Sequence, residues 1–314
     1  MPPLTKSDVH TSAILTNFLL RHPPSEFIAH RVFPVVPVSK EADTFYKWYA
    51  GHRIIKDSRR APGDDSKKVE LGLTTDTYQA YEYALHDDVP LRVARDADRP
   101  LDIYEEAAWN VREMVLLDIE RVVQALAQAS GNNKASPAAT WDNATLSNAK
   151  PHKDVEDARE TMRARTGLVP NCVVMSAAVA SALKIWLMDQ KNGGGVEFAT
   201  MEQYLRTDRL PPRLWDMELL IGGGIKSSAE RPEDVAAANL SDVWNDNVVL
   251  LYKAPRPAMK TLAAGYTFQV TKSTKARRGT YDGPRESDWV EFCTTEAHKV
   301  TSSDCIQMIE NVLE

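Results

Sequence analysis

A long amphipathic helix, placed directly after some fifty residues with no helical period, constrains this chain most. Leu101, Tyr104, Ala108, Val111, Val115, Ile119, Val122 and Leu126 recur every three or four positions, which lays one apolar stripe along a helix over 101–129. Asp98 and Pro100 suit its N-cap and first turn, Glu105 and Glu106 match its dipole, and Gly131-Asn132-Asn133 ends it. At 1.5 Å per residue this rod is roughly 40 Å long, about the width of a domain. Residues 40–90 before it are aromatic and charged. Structureless insertions of that length in compact proteins are usually arms, lids or linkers. An extended arm beside a stiff rod fits a building block better than a catalyst.

The preceding residues support that reading. Residues 7–21 allow a short helix with Ile14, Leu15, Phe18 and Leu19 as its apolar set, stopped by His22-Pro23-Pro24. Val32-Phe33-Pro34-Val35-Val36-Pro37-Val38 cannot be a central strand, because each proline lacks a ladder donor. It is read as an edge strand or a polyproline-like arm lying on another surface, with a plain linker as the alternative. Phe45, Trp48 and Tyr49 open the arm, Arg59-Arg60-Ala61-Pro62-Gly63-Asp64-Asp65 is turn-rich, and 67–83 alternates as a returning strand.

Beyond the rod, strands and helices alternate. Helices are expected over 154–165, closed by Gly167, over 177–190 and briefly over 201–206. Strands are expected over 172–175, 217–221, 248–252, 266–270 and 289–294. Chemistry is harder to find. The seven histidines have no i, i+3 or i+4 pairing, so no metal-ligand spacing stands out. The glycine triplets at 193–195 and 222–224 lack a phosphate-loop pattern. Ser176 lies between a strand and a helix but without the glycines of a nucleophile elbow, so helix capping is the sounder role. No catalytic residue, metal or cofactor is assigned.

Net charge is −6, which gives no overall basic footprint for nucleic acid. Two basic clusters stand out: Lys56, Arg59, Arg60, Lys67 and Lys68 around Asp64 and Asp65, then Lys272, Lys275, Arg277 and Arg278. They are read as solvated loops or as intersubunit ion pairs, with nucleic-acid contact third. Cys172, Cys293 and Cys305 lack CxxC spacing and read as buried reduced thiols. The N-terminus lacks the pattern of a signal peptide, and no apolar run approaches membrane-spanning length; cytoplasmic synthesis is expected.

Trp141-Asp142, Lys153-Asp154, a helix to Gly167, and Val169-Pro170-Asn171-Cys172-Val173-Val174-Met175-Ser176 resemble, in this order, the major capsid proteins of tailed bacteriophages. Val32–Val38, Arg60-Ala61-Pro62-Gly63, Val243-Trp244 and Trp289 fall into sequence around them, so the resemblance spans about 28–314. It implies an α+β, HK97-like capsid fold: N-terminal arm 1–40, extended E-loop hairpin 41–98, P-domain with a long spine helix 99–140, α/β A-domain 141–263, and a return to the P-domain over 264–314. The function it implies is a coat protein assembling into an icosahedral head around double-stranded DNA, in the virion and, during assembly, in the host cytoplasm. Its partners would be copies of itself in hexamers and pentamers, with portal, decoration and separate scaffolding proteins where they are used; it would hold DNA without sequence-specific contacts and meet no membrane. Phe33, Phe45, Trp48, Tyr49, Arg59, Arg60, Asp64, Asp65, Lys67, Lys68, Arg277 and Arg278 are expected at subunit contacts. Only about 30 residues precede Phe33, so the chain reads as mature in length. A lysine–asparagine crosslink is not carried over, because no asparagine or assisting glutamate matches. The alternatives are an encapsulin-like nanocompartment with protein cargo and, third, an α/β enzyme whose arm is a lid.

Overall fold

The computed structural model describes residues 27–47, 58–60, 65–66, 74–96, 103–129, 131–143, 148–192, 209–228, 240–254, 256, 261–281 and 286–314. In chain order the first half contains α1 (Ala29–Val32), β1 (Val35–Val38), β2 (Ala42–Lys47), β3 (Thr74–Gln79), β4 (Tyr81–Pro90), α2 (Leu91–Asp96), α3 (Ile103–Ala127) and β5 (Asn133–Ala135). Next come α4 (Pro151–Thr166), β6 (Cys172–Ser176), α5 (Ala177–Asn192), β7 (Arg213–Leu214), β8 (Met217–Gly222), β9 (Ile225–Ser227), β10 (Leu240–Asp242) and β11 (Val248–Leu251). The chain ends with β12 (Gly265–Val270), β13 (Lys275–Thr280), β14 (Ser287–Val300) and β15 (Ile306–Ile309). The expected helices at 7–21 and 201–206, the caps at Asp98 and Pro100, and the glycines at 193–195 lie outside the described residues.

Two sheets carry the body. A five-stranded sheet runs β1-β12-β14-β13, with β4 paired to the other side of β14 through ten residues. A six-stranded sheet runs β5-β15-β11-β6-β8-β7. The Val35–Val38 segment is an edge strand, one of the readings its prolines left open, parallel to β12. The expected 41–98 arm divides: β2 and β3 form a separate two-stranded ladder, whereas β4 is laid into the five-stranded sheet. The C-terminal stretch divides too. Strands β12–β14 belong to the five-stranded sheet, but β15 enters the other one beside β11, against the expectation that all of 264–314 returns to one domain. Every residue of β15 is buried, the pattern of a strand covered on both faces rather than at an edge.

The long helix α3 spans 25 residues, within two of the expected bounds at each end. Its buried arc begins as the period requires, with Ala108, Val111, Val115 and Ile119, then passes to Val123 and Ala127 rather than Val122 and Leu126. This arc packs on the five-stranded sheet and on one face of the six-stranded sheet in a single core. Strands β6 and β11 alternate cleanly between two cores: Cys172, Val174, Val249 and Leu251 face α3, while Val173, Met175, Val248 and Leu250 face the layer of α4 and α5. Pro151 opens α4, and Gly167 closes it at φ 67°, the left-handed conformation a helix terminus reserves for glycine.

Candidate functional site

Single-turn α1 is too short to hold itself, yet its first turn is anchored from another element. The amides of Ile28 and Ala29 donate to Glu120 Oε2 of α3 at 3.0 and 2.6 Å, so a side chain from a distant helix supplies the cap. The other oxygen of Glu120 accepts the indole N–H of Trp244 at 2.5 Å. Burial raises the Glu120 carboxyl above the usual carboxylate range, and the three donated bonds pull against that shift.

A second carboxylate holds the next residue. His30 Nε2 lies 2.8 Å from Glu296 Oε2 on β14. Burial would lower the His30 pKa, but the hydrogen bond and charge of Glu296 outweigh it and raise the value. Burial conversely works to raise Glu296, and the His30 bond and neighbouring charges bring it below its ordinary value. Gln269 and Thr294 also donate to Glu296, at 2.7 and 2.9 Å. His298, two residues along the same strand, bonds Thr267 through Nδ1 at 3.0 Å, while its buried Nε2 has no hydrogen-bond partner. Burial pushes its pKa down to about 4, so this imidazole is neutral at pH 7.

Glu218 on β8 anchors the third residue, taking Arg31 at 2.9 Å and Lys253 at 2.5 Å. Three acids from α3, β14 and β8 thus grip one turn of chain at the place where both sheets meet the long helix. Phe33 completes the anchor. It is fully buried in its own subunit and packs over Gly265, where a Cβ would lie 2.9 Å from its ring. Having no exposed surface, Phe33 is corrected from a subunit contact to a core residue.

The other expected contact residues divide by their surroundings. Phe45 packs on Phe268 with ring centroids 5.3 Å apart, beside Tyr78 stacked on the same ring at 4.5 Å; its partner is in its own chain. Arg277 reaches Glu291 at 3.4 Å and Glu82 at 3.5 Å. Arg278 pairs with Asp288 at 2.7 Å and lies 3.5 Å over the Tyr104 ring, tying β13 to α3. Arg59, Arg60 and Asp65 are exposed. Trp48, Tyr49, Asp64, Lys67 and Lys68 lie outside the described residues.

Residues that resembled chemistry prove structural. Ser176 is buried, and its Oγ accepts the amide of Val179 at 3.3 Å, as a helix cap does. Gly222 lies under Trp244, where a Cβ would stand 2.1 Å from the indole; the triplet is a seat for a ring. Trp141 is buried and donates to Asp154 at 3.0 Å, and Asn171 bridges to both backbone groups of Lys253. The three cysteines are free and buried. Among the described residues no cluster of His, Cys, Asp and Glu has metal-holding geometry, and no helix is long and apolar enough to cross a membrane.

No family model matches the chain. In sequence it is similar to the major capsid protein of Burkholderia phage BcepMu, 24% identical over 248 residues, covering 76% of this chain and 75% of that protein. In structure it is similar to a phage-related protein from Bordetella bronchiseptica, with TM-score 0.68, 22% identity, and 97% and 98% of the two chains covered. It is also similar to the capsid of cyanophage P-SCSP1u, with TM-score 0.57, 11% identity, and 93% and 90% covered. The fold that emerges is the HK97-like fold of phage capsid shells. Within it, the relative by sequence is a phage major capsid protein.

Proposed function

We infer that this chain is a phage major capsid protein, whose copies assemble into an icosahedral shell enclosing double-stranded DNA. The observation that carries this reading is the extent of the match: the fold of a phage capsid covers 93% of this chain, and the sequence relative is a phage major capsid protein. In this assignment α3 is the spine helix, the five-stranded sheet and α3 make the P-domain, and the six-stranded sheet with α4 and α5 makes the A-domain. The β2–β3 ladder and the residues between its strands form the E-loop, which lies across a neighbouring subunit.

Arg59, Arg60 and Asp65, with Trp48, Tyr49, Asp64, Lys67 and Lys68, are proposed to meet that neighbour as ion pairs and an aromatic anchor, a combination that fixes register more than affinity. Arg277 and Arg278 serve mainly inside the subunit. A net charge of −6 suits a container that admits DNA without gripping its phosphates. Hexamers and pentamers of this chain are the expected units, with scaffolding, portal and decoration proteins as further partners, in the virion and in host cytoplasm during assembly.

Negative-stain electron microscopy with sedimentation velocity, on the chain expressed alone and with a candidate scaffolding protein, tests this. Closed shells, tubes or capsomer rings are expected. A uniform monomer or dimer under both conditions overturns the proposal.

A further inference from the structure

A groove of about 650 Å³ opens between one face of α3, strand β4 and the glycine loop after β8. Phe27, Leu85, Met114, Leu117 and Ile225 give it an apolar floor, and Asp87 and Glu113 an acidic lining. Met114 is 62% exposed, Ile225 54% and Leu85 43%. Asn110, Glu113, Met114 and Leu117 recur at three- and four-residue spacing on α3, so a helix surface stands uncovered there. Most of the long helix is clothed by sheet; this strip is bare.

We propose that residues 7–21 of the same chain dock in this groove as an amphipathic helix. Phe27, where the described chain begins, packs against Gly224 at the groove itself. Only five residues separate it from residue 21, a tether that reaches at most about 22 Å and sets a high effective concentration for docking. The occupant has matching chemistry. Ile14, Leu15, Phe18 and Leu19 form one apolar face, and the cationic Arg21 follows it, complementary to the acidic Asp87 and Glu113 of the groove. The mode is helix-in-groove recognition, with anchors at i, i+1, i+4 and i+5.

The full-length chain carrying Phe18→Cys with Met114→Cys, treated with diamide as a free subunit, tests this directly. The native cysteines are all buried, so the introduced pair reacts alone. An intrachain disulfide is expected in at least fivefold greater yield than for Ala13→Cys with Met114→Cys, since Ala13 falls on the opposite helix face. Equal yields overturn the proposal, and so does a predominantly interchain bond, which would assign the groove to a second copy. A second arm avoids cysteine: Phe18→Asp with Leu19→Asp should raise peroxide oxidation of Met114 about fivefold, read by peptide mass spectrometry. An unchanged oxidation rate, with unfolding midpoints equal, overturns it equally.

Discussion

At α1 a carboxylate from α3 caps the backbone while carboxylates from β14 and β8 hold the side chains of His30 and Arg31; about ten residues later, the β2–β3 hairpin is held by its own ladder and by Phe45 and Tyr78 packed on Phe268. Glu120 and Glu296 are almost wholly buried; Glu120 is bonded only by groups far away in sequence, and Glu296 by His30 and Gln269 from other elements and by Thr294 from its own strand. The hairpin has exposed Ala42, Asp43, Thr44, Thr75 and Thr77 on its faces and is joined to the body through Phe45 and Tyr78 on Phe268. Buried polar groups are costly to leave unmet but specify one geometry when met. A two-stranded ladder is marginal alone. The molecule therefore fixes where its arm starts far more firmly than it holds the arm itself.

The contrast breaks first at Glu120. Glu120→Ala strips the acceptor from three buried donors, at about 1–3 kcal/mol each when left unsatisfied, so a loss of roughly 3–5 kcal/mol is expected in urea unfolding. A loss below about 1 kcal/mol would show that α1 is held by packing alone. Acid acts next. His298 folds with its pKa lowered to about 4 from 6.5, so the stability it contributes is present above pH 6.5 and disappears as pH falls toward 4. The loss is on the order of 3 kcal/mol. His30, raised, keeps its contribution throughout that window and loses it only as pH rises above 6.5; Glu120, raised, returns part of the acid loss. Unfolding midpoints between pH 7 and 4.5 should therefore fall, and His298→Gln should flatten the slope.

Gly222→Ala comes third. The new methyl meets the Trp244 indole, and overpacking of this kind costs about 1–3 kcal/mol; the near-ultraviolet circular dichroism of the tryptophans should change with it. Phe45→Ala removes a half-exposed ring from a stack, for about 1 kcal/mol by thermal melting, while its larger effect should appear in the assembly assay. Asp76→Asn breaks the exposed bridge to Lys47 at 2.6 Å and should change stability by less than about 0.5 kcal/mol. If these last two matched the first, the arm would be as fixed as its root.

What the sequence revealed was what depends on local period and backbone chemistry. The prolines at 34 and 37 excluded a central strand and left an edge strand among the remaining readings, while Gly167 marked a helix end, Ser176 a cap, and the three-four spacing a helix within two residues of α3. The arm's parity required the body: Tyr78 and Ala80 turn inward while Thr75, Thr77 and Gln79 face out, because Phe268 waits beneath Tyr78. Glu120 passed unnoticed, although a signal existed. It lies four residues after Leu116 and three before Val123, a carboxylate inside an apolar arc, which a solvated helix face does not need. Its donors could not be foreseen, since Ile28, Ala29 and Trp244 come from places that only the tertiary fold brings together. The aromatic and charged residues of the arm had shown what kind of contact it could make, but not that Phe45 is already engaged at home.

Strand β14 pairs with β4 on one side and with β12 and β13 on the other, and β15 lies between β5 and β11 in the second sheet. Strands β4 and β5 thus wait for partners far downstream in the chain, and contacts this distant in sequence close slowly. Helix α3, whose hydrogen bonds are all local, can form before either sheet it packs on is complete, so the rod precedes the layers that fix its place.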